Sequence, residues 1–303
     1  MTVLDTVGNT PLIELGKIYV PQNPHKKVKI LAKCEYQNAS GSVKDRAAKA
    51  MIIDGIQSGS LTKDKTIIDA TSGNTGIAYA MLGAYLGFEV TLCMPGNVSE
   101  ERKKIMRCYG AEIVETSPLE GIDGAYIKCR ELVKENPEKY FYPDQYSNEM
   151  NWKAHYFGTA KEIIRQTQGK VTHFVAGTGT SGTFMGCAKA LKESNPEIKC
   201  MNLSPDCPFH GIEGLKHYSV LNLKNGFFDQ KISDGRIEIS TEEAYKTAEK
   251  LAKEEGLFVG ISSGANVAGA VKIAENAPDG SVIVTVLCDG GYRYLSRLGG
   301  EYG

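Results

Sequence analysis

Short apolar runs alternate along this chain with longer stretches whose apolar positions recur at helical spacing. Residues 28–35, 66–70, 89–94, 111–116, 140–142, 172–176, 199–203, 256–260 and 281–287 read as strands. Helices are expected from Lys44 to about Gly55, and over 77–86, 99–109, 122–135, 152–168, 183–194, 241–255 and 264–276. Start and stop signals support several of them. Ser99 precedes Glu100 and Glu101, and Gly87 and Gly110 follow the ends of their helices. Strands of about five residues alternating with helices of ten to fifteen argue for parallel sheets. Two such blocks, 60–142 and 152–288, predict an α/β protein of two doubly wound units. Residues 205–235 carry no clear period. In open α/β sheets ligands bind beyond the carboxyl ends of the strands. The turns 71–76 and 177–183, Ser262–Gly264 and Asp289–Gly291 fall there, and a cleft between the two units would collect them.

Composition narrows the function classes. At 303 residues the chain has room for two domains. A net charge of −1 leaves no footprint for nucleic acid or an anionic membrane. No apolar run approaches a membrane span, and the N-terminus lacks a secretory pattern. The eight cysteines form no CxxC pair and mostly sit inside apolar runs, as buried residues of a reducing cell do. A cytoplasmic location is expected. The five histidines share no spacing, so no metal site is expected.

Three stretches carry chemistry. Asn38–Ala48 is a polar turn running into a helix, with Lys44 at the helix start. The unpaired N–H groups and positive dipole end there disfavour a second positive charge, and a neutral amine is a nucleophile. Gly177–Thr183 follows a strand and opens a helix, so its N–H groups and hydroxyls suit a phosphate. It also matches GxGxxG. A dinucleotide site, however, wants an acidic residue at the end of the next strand, and Glu197 precedes that strand instead. Thr71–Gly76 is a second strand–turn–helix junction, with donors for a carboxylate. A reactive lysine, a phosphate cradle and a carboxylate cradle together point to pyridoxal 5'-phosphate.

With these motifs in view, the chain resembles the cysteine synthase and cystathionine β-synthase family, fold-type-II pyridoxal-phosphate enzymes with a tryptophan synthase β-like fold. The resemblance rests on Val7–Leu12, Ser42–Arg46, Thr71–Gly76, the 177–183 loop, Gly260–Ala265 and Asp289–Ser296. It implies a smaller mobile domain over 41–146 and a larger cofactor-binding domain from 1–40 and 147–303. It implies that Lys44 carries the cofactor imine and serves as general base. Asn74 would bond the ring hydroxyl, and Gly179, Thr180, Ser181, Gly182 and Thr183 the phosphate. Ser262 would face the pyridine nitrogen, leaving it largely unprotonated and favouring β-elimination over transamination. Thr71, Ser72, Thr75 and Gln145 would hold the substrate carboxylate. The implied reaction is β-replacement through an aminoacrylate, and the implied assembly is a homodimer.

The acceptor stays open. Common cysteine synthases carry a Gly-Ile-Gly-Ala-Gly-Phe-like stretch where this chain reads Phe209–Tyr218. Glu213, Lys216, His217 and Tyr218 bring bulk and charge there, and Asp234 is a candidate to activate water or assist a thiol leaving group. The first expectation is cysteine synthase, which makes cysteine and acetate from O-acetylserine and sulfide. The alternatives are a lyase that releases hydrogen sulfide from cysteine, with water adding to give serine, and a cystathionine β-synthase-like activity. The expected partners are a small amino acid with sulfide, a thiol or water, and a second copy in a homodimer.

Overall fold

The computed structural model describes residues 1–21, 23, 25–71, 73–220 and 226–295. The chain divides into two compact units. One comprises Met1–Val7 and Lys44–Asn151, and the other Gly8–Val43 with the chain from Trp152 onward.

The first unit is built on a four-stranded parallel sheet. Its strands are β3 (Thr66–Ala70), β4 (Val90–Pro95), β5 (Glu112–Thr116) and β6 (Tyr140–Phe141), in the order β5-β4-β3-β6. β3 and β4 are buried at every position, as central parallel strands covered on both faces must be. α1 (Lys44–Gln57) and α2 (Asn74–Leu86) pack with Ile67, Val90 and Leu92 in one cluster. α4 (Gly121–Glu135) packs with Ile68, Ala70 and Cys93 in another. α3 (Glu100–Cys108) connects β4 to β5. Each fully buried Ile or Leu here contributes about 1.5–3 kcal/mol relative to exposure.

The second unit has a six-stranded sheet in the order β1-β2-β10-β7-β8-β9. β1 (Leu12–Glu14) is antiparallel to β2 (Lys29–Cys34), and the other neighbours are parallel. The remaining strands are β7 (His173–Gly177), β8 (Lys199–Pro205), β9 (Gly235–Ile239) and β10 (Val282–Leu287). α8 (Thr241–Lys250) and α9 (Ile261–Asn276) bury one sheet face. α6 (Ala160–Gln166) and α7 (Gly182–Ser194) bury the other. Helices on both faces make each unit doubly wound, as the alternation predicts.

Three local differences from the sequence expectation stand out. The helix expected over 152–168 is α5 (Met150–Ala154), a π-helical turn at His155–Thr159, and α6. The stretch 256–260 forms only a single bridge, Val259 to Gly290. β9 is an added edge strand with alternating burial, so its Arg236 and Glu238 read as loop in the sequence.

Candidate active site

In the first unit the carboxyl end of β3 turns into α2 through 71–76. Thr71 Oγ1 accepts the Gly73 and Gly76 amides, each at 3.2 Å, which leaves its O–H as a donor. Gly76 has to be glycine, because a Cβ would stand 2.6 Å from the Thr71 methyl. Asn74 is the first residue of α2. The Thr75 hydroxyl donates to Gln145 Oε1 at 2.8 Å, and Gln145 Nε2 donates to Ala70 O at 3.0 Å. Asn151 Nδ2 donates to Gln145 O at 2.7 Å. Gln145 thus arrives from beyond β6 to brace the turn, with its second amide N–H still to give. Ser72 lies outside the described residues. Lys44 opens α1 and is half-buried.

In the second unit the segment before Lys44 is tied down. Ser42 bridges Asp289, and the Val43 amide donates to Cys288 O at 2.8 Å. The phosphate-type loop leaves β7 after Gly177, whose amide donates to Asn266 Oδ1 at 2.7 Å. Thr178 is fully buried, with amide and hydroxyl both on Leu203 O. Ser181 has φ +72°, a left-handed conformation costing on the order of 1–2 kcal/mol outside glycine. Such a kink turns successive N–H groups inward, where they meet the N-terminus of α7. The Thr183 hydroxyl lies 3.3 Å from His155 Nε2, and His155 Nδ1 lies 2.9 Å from Thr159 Oγ1. Ser262 is the second residue of α9 and is 5% exposed. Its neighbour Ser263 accepts the Cys288 amide at 2.8 Å. Gly260 admits no side chain, since a Cβ would lie 2.1 Å from Asp289 Oδ1.

The donor set fits pyridoxal phosphate. The loop 177–183 offers hydroxyls from Thr180, Ser181 and Thr183 and holds no carboxylate, as a dianion requires. Ser262 offers a neutral hydroxyl for a ring nitrogen, and Lys44 an amine at a helix start.

The 209–218 segment packs against this loop. A Cβ on Gly179 would lie 2.0 Å from Gly214 O, and one on Gly177 would lie 2.5 Å from Leu215 Cδ2. The Lys216 amide donates to Thr178 O at 2.8 Å. His217 is nearly buried, its ring 4.3 Å from that of Tyr218. Burial holds the His210 imidazole below its ordinary pKa, and His217 adds to this.

Asp234, a catalytic candidate in the sequence, lies away from these loops of the second unit. Its amide donates to Cys200 O at 2.8 Å, and its carboxylate accepts the Cys200 amide at 2.7 Å and pairs with Lys192 at 2.6 Å. Cys200 pairs in register with Phe174, three residues before β7 ends, which at ~3.3 Å per residue is about 10 Å from the loop. Burial alone would raise the Asp234 carboxyl, but Lys192 and the Cys200 amide outweigh it and hold it below the usual value. Asp234 lines a groove with His173, Lys199 and Lys272 instead.

His155 and Asn266 escaped the sequence reading. Each supports a loop far away in the chain, and spacing carries no signal of that.

A model of the family described as "Pyridoxal-phosphate dependent enzyme" matches residues 3–289. The chain is 52% identical over 298 residues to a cysteine synthase of Aquifex aeolicus, covering 97% of this chain and 90% of the relative. Among solved structures, a cysteine synthase from Entamoeba histolytica superposes with a TM-score of 0.90 at 37% identity, covering 98% of this chain and 89% of that one. A hydrogen sulfide-producing enzyme from Fusobacterium nucleatum gives 0.89 at 35% identity, covering 97% of each chain.

Proposed function

The chain belongs to the family of pyridoxal-phosphate dependent enzymes, and on that premise we propose that it is a cysteine synthase, converting O-acetylserine and sulfide to cysteine and acetate. The observation that carries this reading is the 52% identity to a cysteine synthase across 97% of the chain. The residues described above support it. Thr180, Ser181 and Thr183, with the amides of Gly179 and Gly182, would hold the phosphate at the start of α7. Asn74 would bond the ring hydroxyl and Ser262 the ring nitrogen. Thr71, Ser72, Thr75 and Gln145 hold the substrate carboxylate at the N-terminus of α2, where N–H groups and the dipole favour an anion.

The cofactor, when bound, supplies an electron sink for the pair left behind at the substrate α-carbon. Lys44 would hold the cofactor through its amine in the resting enzyme. With that amine free in the substrate complex, Lys44 would take the α-proton as general base. For replacement of the β-acetate by sulfide, Lys44 would also return the proton to the α-carbon. The two halves predict ping-pong kinetics. Asp234 has no part in this scheme.

A second reading uses cysteine as first substrate, expelling sulfide from the β-carbon and adding water to give serine. The likeness to a hydrogen sulfide-producing enzyme and the bulky 209–218 segment against the phosphate loop favour it. Incubation with O-acetylserine plus sulfide, and separately with cysteine, followed by product identification, decides between them. Sulfide released from cysteine, with no cysteine made from O-acetylserine, would overturn the synthase reading. The same proposal takes the protein as a cytoplasmic homodimer, in keeping with eight cysteines all present as free thiols.

A further inference from the structure

Next to its last residue, β3 carries a carboxylate that the proposed reaction leaves unused. Asp69 is 1% exposed. Its Oδ1 accepts the Ala70 amide at 2.8 Å, and its Oδ2 accepts the Tyr79 hydroxyl at 3.0 Å. The backbone of Gln145 lies close enough to Asp69 to favour its charged form. These contacts reach the elements that shape the carboxylate turn. Ala70 O receives Gln145 Nε2, Gln145 Oε1 receives Thr75, and Tyr79 lies on the helix that Asn74 begins.

The surroundings of Asp69 supply hydrogen bonds but, among the described residues, no cation. Facing it are Tyr79 from α2, Asp144, Tyr142 and Tyr146 from the segment after β6, Cys93 from β4 and Cys129 from α4. The Tyr142 hydroxyl and Asp144 Oδ1 are themselves buried without a hydrogen-bond partner among the described residues. Burial pushes the Asp69 carboxyl up to about 7; the Ala70 amide and Tyr79 hydroxyl oppose the rise, and Asp144 adds to it. Asp69 therefore exists in both charge states near neutral pH.

We propose that Asp69 is a positioning residue for the turn formed by Thr71, Thr75 and Gln145, and that its own charge is coupled to capture of the substrate carboxylate there. This rests on the substrate-site reading above. Two residues of strand, about 7 Å, separate Asp69 from Thr71. A second carboxylate docked at the turn meets a like charge across a buried, weakly screening interior, which disfavours having both ionised. Binding of the amino acid then takes up a proton at Asp69. The repulsion at that range corresponds to roughly tenfold in affinity.

The test is a spectral titration of the holoenzyme with L-alanine, which has the α-carboxylate and no β-leaving group, between pH 6 and 9. Wild-type affinity is expected to fall roughly tenfold more than that of Asp69→Asn as pH rises through about 7. Tyr79→Phe removes the donor that favours ionised Asp69, so it should move the wild-type midpoint upward. Calorimetric titration near pH 7 in two buffers of different ionisation enthalpy should show a larger net proton uptake in wild type than in Asp69→Asn. A carbon-13 aspartate NMR titration of the cofactor-free protein checks the Asp69 midpoint without catalysis. An Asp69→Asn pH profile identical to wild type overturns the proposal. Should that variant not fold, an unmoved midpoint in Tyr79→Phe overturns it equally. If Thr71→Val and Thr75→Val bind L-alanine as wild type does, the substrate-site reading fails and the proposal with it. If both weaken binding while Asp69→Asn keeps the wild-type slope, the coupling alone is wrong.

Discussion

Lys44 stands at the first position of α1, two residues after the Ser42 bridge to Asp289. Replacing it with alanine removes the group that carries the cofactor and moves the α-proton. Lys44→Ala should lower kcat by about 10²–10⁴ and abolish the absorbance of the linked cofactor, both read on the purified protein. Ser181 poses a different question, because its left-handed φ of +72° costs stability while its hydroxyl serves the phosphate. In Ser181→Gly the strain is relieved and the hydroxyl lost. The cofactor-free protein should melt at the same temperature or higher, gaining up to about 1 kcal/mol. Cofactor affinity should fall several-fold in a fluorescence titration. A variant less stable in the cofactor-free state would show that the conformation is not strained.

At the scale of elements, glycines set how closely helices approach. Gly264 lies where a Cβ would meet Ala244 O at 2.2 Å and the Ala248 amide at 2.8 Å, so α9 presses directly on α8. Gly264→Ala should cost about 1–3 kcal/mol by urea denaturation, through overpacking. That assigns this motif glycine to helix packing, beside the serine at 262 that the cofactor reading uses. Much at this scale was legible in the sequence. Buried parallel strands such as Ile67 and Ile68 of β3 are unbroken apolar runs, and the helices between them carry glycine stops. Where legibility failed, a local pattern competed with a tertiary one. Leu257–Val259 has strand composition, yet only Val259 finds a bridging partner. β9 lies at the sheet edge, so its exposed positions look like loop. The π-helical turn at His155 sets that imidazole beside Thr183, a contact that no helical periodicity signals.

Two buried charges act on the molecule as a whole. Lys33 is fully buried and pairs with Glu162 at 2.6 Å, while Glu162 also accepts the Asn9 amide at 2.9 Å. Lys33→Met takes a cation away from buried Glu162 and should cost about 3–5 kcal/mol in chemical denaturation. Asp69 adds a pH dependence to the stability. Its carboxyl stands at about 7 when folded, against an ordinary value of 3.8. The folded state therefore holds the proton more tightly. The stabilisation is complete below about pH 4 and is lost as pH rises through about 7, on the order of a few kcal/mol in all. Unfolding curves at pH 5 and pH 8 should show wild type losing more stability with pH than Asp69→Asn. Equal losses would show that Asp69 is charged in the same way folded and unfolded.

By itself the sequence determined the alternation of strand and helix, the doubly wound class, and the loops that carry chemistry. Those follow from short-range rules: apolar period, helix-start residues and glycine turns. It also determined the residue types on which the family resemblance rests. Tertiary structure alone decided which side chains meet. Asp234 is eligible by type, but the register of β8 and β9 sets its carboxylate on Lys192 and the Cys200 amide, near the opposite ends of the strands. Gln145, more than sixty residues beyond Thr75, reaches the same turn because β6 pairs with β3. Asp69 falls inside the strand read at 66–70, and burial with no cation beside it among the described residues pushes its carboxyl up to about 7. Strand order and burial are sums over the whole chain, and no local stretch contains them.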